Sequence, residues 1–258
     1  MTEVRGVFLP DDDPHFEEMV RDSPSRRGRG TYQDVKYGRA LPLVHEHRVA
    51  VDVGSHVGLW AMQFLRDFTH TICFEPQGEL LPIWRQNMIA ASQRFTSTVP
   101  RFHIGREAGA CCAVFEEPGR DGHTVRCYHA ALGSPLETTP PAQIGLKRYG
   151  ERSSGNVRVC APADAADPTL GLAPLMSLDH YDLQTLDLLK IDCEGYELLV
   201  LHGARRTLER TKPVVIVEQK PGVASAFGFA DTAAIALLET LGACVKWNHG
   251  GDYCLSWD

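Results

Sequence analysis

Three short stretches hold the residue types with most chemical capacity. "LDLLKIDCEGYELLVLHGARRTL" (Leu186 to Leu208) interrupts an apolar run with Lys190, Asp192 and Glu194 before a helical pattern begins. "VDVGSHVGLW" sets Gly54 and Gly58 around a turn that follows Asp52. "ICFEP" ends a β-type run on Glu75, 21 residues after Gly54. Glycines between a strand and a helix let the backbone approach a ligand closely and accept positive φ. The helix start behind them offers free N–H groups. An acidic residue about 20 positions further on is at the spacing that can hold both hydroxyls of an adenosine ribose. The Gly-x-x-x-Gly pattern lacks the middle glycine of the dinucleotide fingerprint and the Lys-Ser/Thr of a P-loop. On its own it is also what a tight strand–helix turn uses for packing.

The charged triplet at Lys190, Asp192 and Glu194 could be a catalytic cluster, a metal site or strand-end chemistry. Strand side chains alternate, so Lys190 and Asp192 share a face and Lys190 can keep Asp192 ionised or reach an acceptor. Glu194 and Glu197 fall in the first turn of the expected helix, where carboxylates are stabilised by the free N–H groups. Arg205, Arg206 and Arg210 fall in its last turn. Glu218, at the end of "KPVVIVEQ", opens onto the same edge as Asp192. His129 leaves another strand, "TVRCYH", and is as readily a structural histidine as a base. Asp192 and Glu218 could share a divalent cation that lowers a hydroxyl's pKa, but a site without a resident metal is the favoured expectation.

The elements that must position these residues alternate in type. "RVAVDVGS", "HTICFEP", "TVRCYHAALGS", "LDLLKID" and "KPVVIVEQK" read as buried strands. "VGLWAMQFLRDF", "GELLPIWRQNMIAAS", "GYELLVLHGARRTLER" and "ADTAAIALLETLG" read as helices, with Trp60 and Trp84 at core spacing. "ACVKWNHGGDYCLSWD" reads as a terminal hairpin turning at Gly250 and Gly251. Such alternation predicts an α/β, doubly wound, mostly parallel sheet, with ligands bound beyond the carboxyl ends of its strands. Residues 44–258 form that domain, with insertions near 93–123 and 137–174. Residues 1–43 read as an appendage, partly flexible and basic through Arg21, Arg26, Arg27, Arg29, Lys36 and Arg39. It is either a solvated tail or a mobile segment that covers or recruits an anionic substrate.

The 258 residues, 43% hydrophobic and 23% charged, suit a globular class. A net charge of −7 argues against a nonspecific nucleic-acid coat. No apolar run is long enough to cross a bilayer and the N-terminus lacks a signal core, so a cytoplasmic setting without membrane contact is expected. Eight cysteines without a Cys-x-x-Cys pair read as reduced core residues rather than a zinc ribbon.

Taken in order, "VDVGSHVGLW", "ICFEP", "AALGS", "LDLLKIDCEGYELLVLHGARRTL" and "KPVVIVEQ" resemble the FkbM family of S-adenosylmethionine-dependent methyltransferases, from about Val49 to about Gln219. The FEP tripeptide and KID-x-EG-x-E followed by L-x-G-A are the most specific pieces. Ser55 and His56 stand where the family usually has Ala-Asn, the loop from Gln93 to His123 is longer than usual, and the N-terminal residues fall outside the match. The resemblance implies a class I methyltransferase fold, a Rossmann-like seven-stranded sheet ending in an antiparallel hairpin. It implies that Asp52, Gly54, Ser55 and Gly58 contact the methionine and ribose parts of S-adenosylmethionine, with His56 in the same loop. Glu75 would take the ribose hydroxyls, Ala131 and Leu132 would lie against the adenine, and Asp192 would sit beside the transferred methyl group. Asp192 and His129 are then candidate bases, with Lys190 and Glu218 as helpers. The acceptor implied is a hydroxyl of a small molecule or glycan. A methyltransferase acting on a nucleotide or nucleic acid, or a non-catalytic cofactor-binding protein, are the alternatives. The acidic charge and the absence of an Asn/Asp-Pro-Pro-aromatic motif argue against the former. The intact Gly54, Gly58, Glu75 and Asp192 argue against the latter.

Overall fold

The computed structural model describes residues 1–11, 13–23, 32–93, 101–107, 110–116, 122–134, 142–149, 153–160 and 171–258. Five parallel strands form the centre: β3 (Val49–Val53), β4 (His70–Phe74), β7 (Thr124–His129), β12 (Leu188–Ile191) and β13 (Val214–Glu218). β-Branched runs such as VAVDV and VVIVE are buried at every position, as strands covered on both faces require. The terminal hairpin, β14 (Cys244–His249) and β15 (Asp252–Ser256), adds antiparallel to β13. On the other edge lies a hairpin of β5 (Arg101–Glu107) and β6 (Ala110–Glu116). The spatial order is β14-β15-β13-β12-β3-β4-β7-β6-β5. The first seven of these form the seven-stranded sheet ending in an antiparallel hairpin that the sequence resemblance implies. The last two extend it beyond the seven strands expected, because the 93–123 insertion pairs with β7 instead of looping past it.

Alternation along β3 sends Val49, Val51 and Val53 to one core and Ala50 to the other. The first core holds α5 (Glu197–His202), α6 (Arg205–Thr211) and α7 (Ala233–Thr240). The opposite face carries α3 (Ala61–Asp67) and α4 (Leu81–Ser92), whose first turn contains Pro82. The second insertion builds a small sheet ordered β10-β9-β11-β8. Its strands are β8 (Ala131–Leu132), β9 (Gln143–Arg148), β10 (Val157–Val159) and β11 (Leu172–Met176).

The sequence predicts one helix from Gly195 to Arg210; the structure breaks it. A Cβ on Gly203 would lie 1.8 Å from the Gly133 carbonyl oxygen, so the chain crosses β8's exit there and restarts. Asp179 caps the restart, accepting from the backbone N–H groups of Arg206 (3.0 Å) and Thr207 (2.8 Å). Arg205 and Arg206 therefore open α6 rather than close a longer helix.

The described part of residues 1–43 is folded onto the domain. A hairpin of β1 (Thr2–Val4) and β2 (Val7–Leu9) leads into α1 (Pro14–Asp22) and α2 (Asp34–Ala40). Val4, Val7, Leu9, Phe16 and Val20 share a core with Val57, Leu59 and Leu80. Asn87 of α4 pairs with both backbone groups of Phe8 (2.7 and 2.8 Å). Of the basic run, Arg26, Arg27 and Arg29 lie outside the described residues. No described helix is long and apolar enough to cross a membrane. Seven described cysteines are free thiols, most of them buried.

Candidate active site

At the carboxyl ends of β3, β4, β12 and β13 lies a cavity of about 1090 Å3, counted to its open mouth. Asp52, Gly54, Ser55, His56, Glu75, Ala131, Leu132, Lys190, Asp192 and Glu218 all line it. Gly58 and His129 do not. A Cβ on Gly58 would meet Trp84 and Met88 at 2.8 Å, so this glycine lets α3 and α4 pack. His129 instead hydrogen-bonds the Pro76 carbonyl at 3.0 Å and lies against Gly78, behind the wall.

The turn after β3 is shaped from below. Gly54 has φ +79°, and a Cβ there would come within 1.9 Å of the Asp192 carbonyl oxygen. His56 also takes positive φ (51°), a conformation open to histidine more than to bulkier residues. This lets its backbone N–H donate to Glu75 Oε2 at 2.7 Å, while Gln77 N–H donates to Glu75 Oε1 at 2.8 Å. Glu75 is 3% exposed, and burial pushes its carboxyl up to about 7. Burial likewise raises Asp52 to about 6, against the pull of the Lys190 ammonium, and one Asp52 oxygen is buried without a hydrogen-bond partner.

The wall at β12 and β13 is a ladder of opposite charges. Lys190, 1% exposed, donates to Asp192 Oδ2 at 3.0 Å, lies 4.0 Å from Asp252 Oδ1, and faces the Trp60 ring at 5.4 Å. Burial alone would lower the lysine's pKa; the Asp192, Asp252, Glu218 and Asp52 charges overcome it and hold it above the ordinary value. Asp192 feels burial upward, but Lys190 and the Glu218 carboxyl hold it below the usual range. Glu218 is driven upward by burial and by the Asp192 charge, so the pair holds one proton on Glu218. Lys220 reaches Glu218 Oε2 at 2.9 Å and Glu194 Oε1 at 3.4 Å.

Asp192, Glu194 and Glu218 bring carboxylate oxygens within 4.8 Å of one another, a grouping that could hold a cation. Two ammonium groups already pair with these three, Lys190 with Asp192 and Lys220 with Glu194 and Glu218. Glu194 corrects the sequence expectation: it does not cap the helix but turns into the cavity wall with φ 52°. Glu197 caps the loop instead, its Oε1 accepting from the N–H groups of Cys193 and Gly195, both at 3.0 Å.

The sequence reading missed several contributors. Asp252 is fully buried, ion-paired with Lys36 of α2, and opposite Glu218 in the β13–β15 register. Only that register would have revealed it. The N-terminal His15, Phe16 and Tyr32 line the cavity too, as do residues 153 and 155–159 of the second insertion. These two segments meet where Asp13 accepts from the backbone N–H (2.8 Å) and hydroxyl of Ser154. Ser154 Oγ is 2.6 Å from His56 Nε2, and Phe16 stacks on His56 at 4.5 Å. Burial holds His56 down to about 4, hence neutral at physiological pH.

Among solved structures, the chain is similar to methyltransferase FkbM from Methylobacillus flagellatus KT, at 17% identity and TM-score 0.43, over 82% of this chain and 43% of that one. It thus spans less than half the length of that protein. It is also similar to precorrin-6y C5,15-methyltransferase from Geobacter metallireducens GS-15, at 12% identity and TM-score 0.42, over 99% of this chain and 100% of that one. No curated protein matches. Residues 166–243, which supply β12, the Asp192 turn, β13 and α7, match the model of the methyltransferase FkbM domain.

Proposed function

We propose that the protein is an S-adenosylmethionine-dependent methyltransferase that methylates a hydroxyl of a small molecule or sugar. The observation that carries this reading is the convergence of Gly54, Glu75, Leu132 and Asp192, from four strand exits, on one cavity. The residues fit the cofactor. Glu75 presents a buried carboxyl already oriented by two backbone N–H groups, and acceptor oxygens are what ribose hydroxyls need. Ala131 and Leu132 offer an apolar wall for a base, and Asp52 keeps an unpartnered oxygen under the loop.

When bound, S-adenosylmethionine would supply a methyl carbon on a sulfonium, to which the acceptor oxygen would bond in line as the carbon–sulfur bond breaks and S-adenosylhomocysteine leaves. The chain's task is then mainly positioning. Asp192, ionised through Lys190, accepts a hydrogen bond from the acceptor hydroxyl and sets its direction. Asp192 takes the proton that the oxygen loses while the proton already on Glu218 leaves at the cavity wall, so the pair again holds one proton. His129 has no place in this scheme, because it lies behind the wall.

Isothermal titration with S-adenosylhomocysteine tests the reading. Wild type should bind one equivalent, and Glu75→Ala should weaken binding at least about tenfold, roughly the 1.4 kcal/mol that separates decades of affinity. Absence of binding by the wild type would overturn the methyltransferase assignment.

A further inference from the structure

Of the three lysines and arginines that line the cavity among the described residues, two are ion-paired. Lys190 is matched by Asp192 and Asp252, and Lys220 by Glu218 and Glu194. Arg158 of β10 also lines the cavity and forms no ion pair among the described residues. Its position is built rather than incidental. Arg158 is opposite Lys147 in the β9–β10 register, which puts it diagonally across from Tyr149 on the same face. The guanidinium lies 3.4 Å from the Tyr149 ring centroid, and its Nε is buried with no hydrogen-bond partner. A guanidinium held over a ring has little freedom left to lose when its remaining N–H groups meet a planar oxyanion. The Arg158 charge reaches Glu194 in the turn after β12.

We propose that Arg158 receives an anionic group, a carboxylate or a phosphate, carried by the methyl acceptor, so that the acceptor is an anionic hydroxy compound. The proposal rests on the methyltransferase reading above and names its substrate class. Arg158 and Asp192 line the same cavity from different sheets, one on the insertion and one at the exit of the central strand β12. An acceptor held by its charge at Arg158 would present its hydroxyl to Asp192. Specificity would then reside in the insertion and methyl transfer in the sheet.

The test uses inorganic phosphate and acetate as probes, each titrated into the protein saturated with S-adenosylhomocysteine. Phosphate is read by 31P line broadening and acetate by saturation transfer from the protein. At least one anion should bind the wild type. Arg158→Ala should weaken it at least about tenfold, as loss of a charge-assisted pair does, with S-adenosylhomocysteine affinity within about twofold of wild type. Arg158→Lys should fall between, keeping the charge but not the fork, and it carries the test should the alanine variant fail to fold. A response to phosphate alone assigns a phosphorylated acceptor; a response to acetate alone assigns a carboxylate. The proposal is overturned if neither anion binds, or if binding survives in both variants. It is equally overturned if the variants lose S-adenosylhomocysteine affinity, which would give Arg158 to the cofactor's own carboxylate. A wild type that binds an anion but no S-adenosylhomocysteine would sink the methyltransferase reading and leave the anion site standing.

Discussion

Both carboxylate oxygens of Glu75 accept backbone N–H groups, yet the side chain is so buried that its carboxyl is pushed up to about 7. That raised value has two consequences of opposite sign. For the ligand-free fold, the neutral carboxyl is the comfortable one. The stability Glu75 contributes is present below its unfolded value of 4.5 and is lost as pH rises through about 7. Ribose hydroxyls, in contrast, are held best by the ionised carboxylate. S-Adenosylhomocysteine affinity should therefore rise with pH through about 7 and level off above it. Between pH 8 and pH 6 the ionised fraction falls about tenfold, and affinity should follow. Calorimetry across this range on wild type and Glu75→Gln checks it: the variant should bind more weakly and show a flatter profile. An equally steep profile in the variant would move the titration to another group, Asp52 first. Glu75 itself was legible from its spacing to Gly54. The route by which it is held, through the backbone of a histidine with positive φ, was not, because it depends on one residue's conformation rather than its type.

Among the elements, the glycines of the signature divide into two kinds that the sequence could not separate. Gly54 is pressed against the Asp192 carbonyl and shapes the ligand loop. Gly58 and Gly203 are packing positions, the first under Trp84 and Met88, the second against the Gly133 carbonyl. Periodicity alone made the L-x-G-A segment one continuous helix, since the reason to break it lies 70 residues away in sequence at the exit of β8. The strands were legible because fully buried parallel strands are continuous apolar runs. Of the β5–β6 edge, the apolar run CCAVF reads as a strand and lies in β6, whereas β5, RFHIGRE, has no such run. Gly203→Ala separates packing from ligand contact. The added methyl has backbone rather than a flexible side chain in its way, so it should cost about 1–3 kcal/mol. Thermal melting should show the loss, while S-adenosylhomocysteine affinity measured well below the melting point should stay within about twofold. A large affinity loss in the folded variant would mean that the α5–α6 break helps to hold the cavity.

Across the whole molecule, the charge ladder ties the N-terminal residues to the cavity wall. Lys36 of α2 pairs with Asp252, Asp252 faces Lys190, and Lys190 holds Asp192. The sequence reading set residues 1–43 apart because their composition differs and no strand–helix alternation runs through them. Composition, however, does not report which surface a short hairpin and two helices will cover. Here they cover the outer face of α3, where Trp60 donates to the Gln33 side chain at 3.1 Å and Gln63 donates to the Tyr32 carbonyl at 2.9 Å. A solvated tail could be removed at no cost. This segment buries Val7, Leu9, Phe16, Val20 and Tyr37. Each such side chain contributes roughly 1.5–3 kcal/mol, against a net stability of about 5–15 kcal/mol for a typical domain. Deleting residues 1–43 would also strip Asp252 of Lys36 and uncover Trp60. The truncated protein should lose its cooperative thermal transition or aggregate, and should bind no S-adenosylhomocysteine. Recovery of a truncated protein with wild-type melting and affinity would show that the central sheet stands without this segment, and that Lys190 holds Asp192 in place without help from the N-terminus.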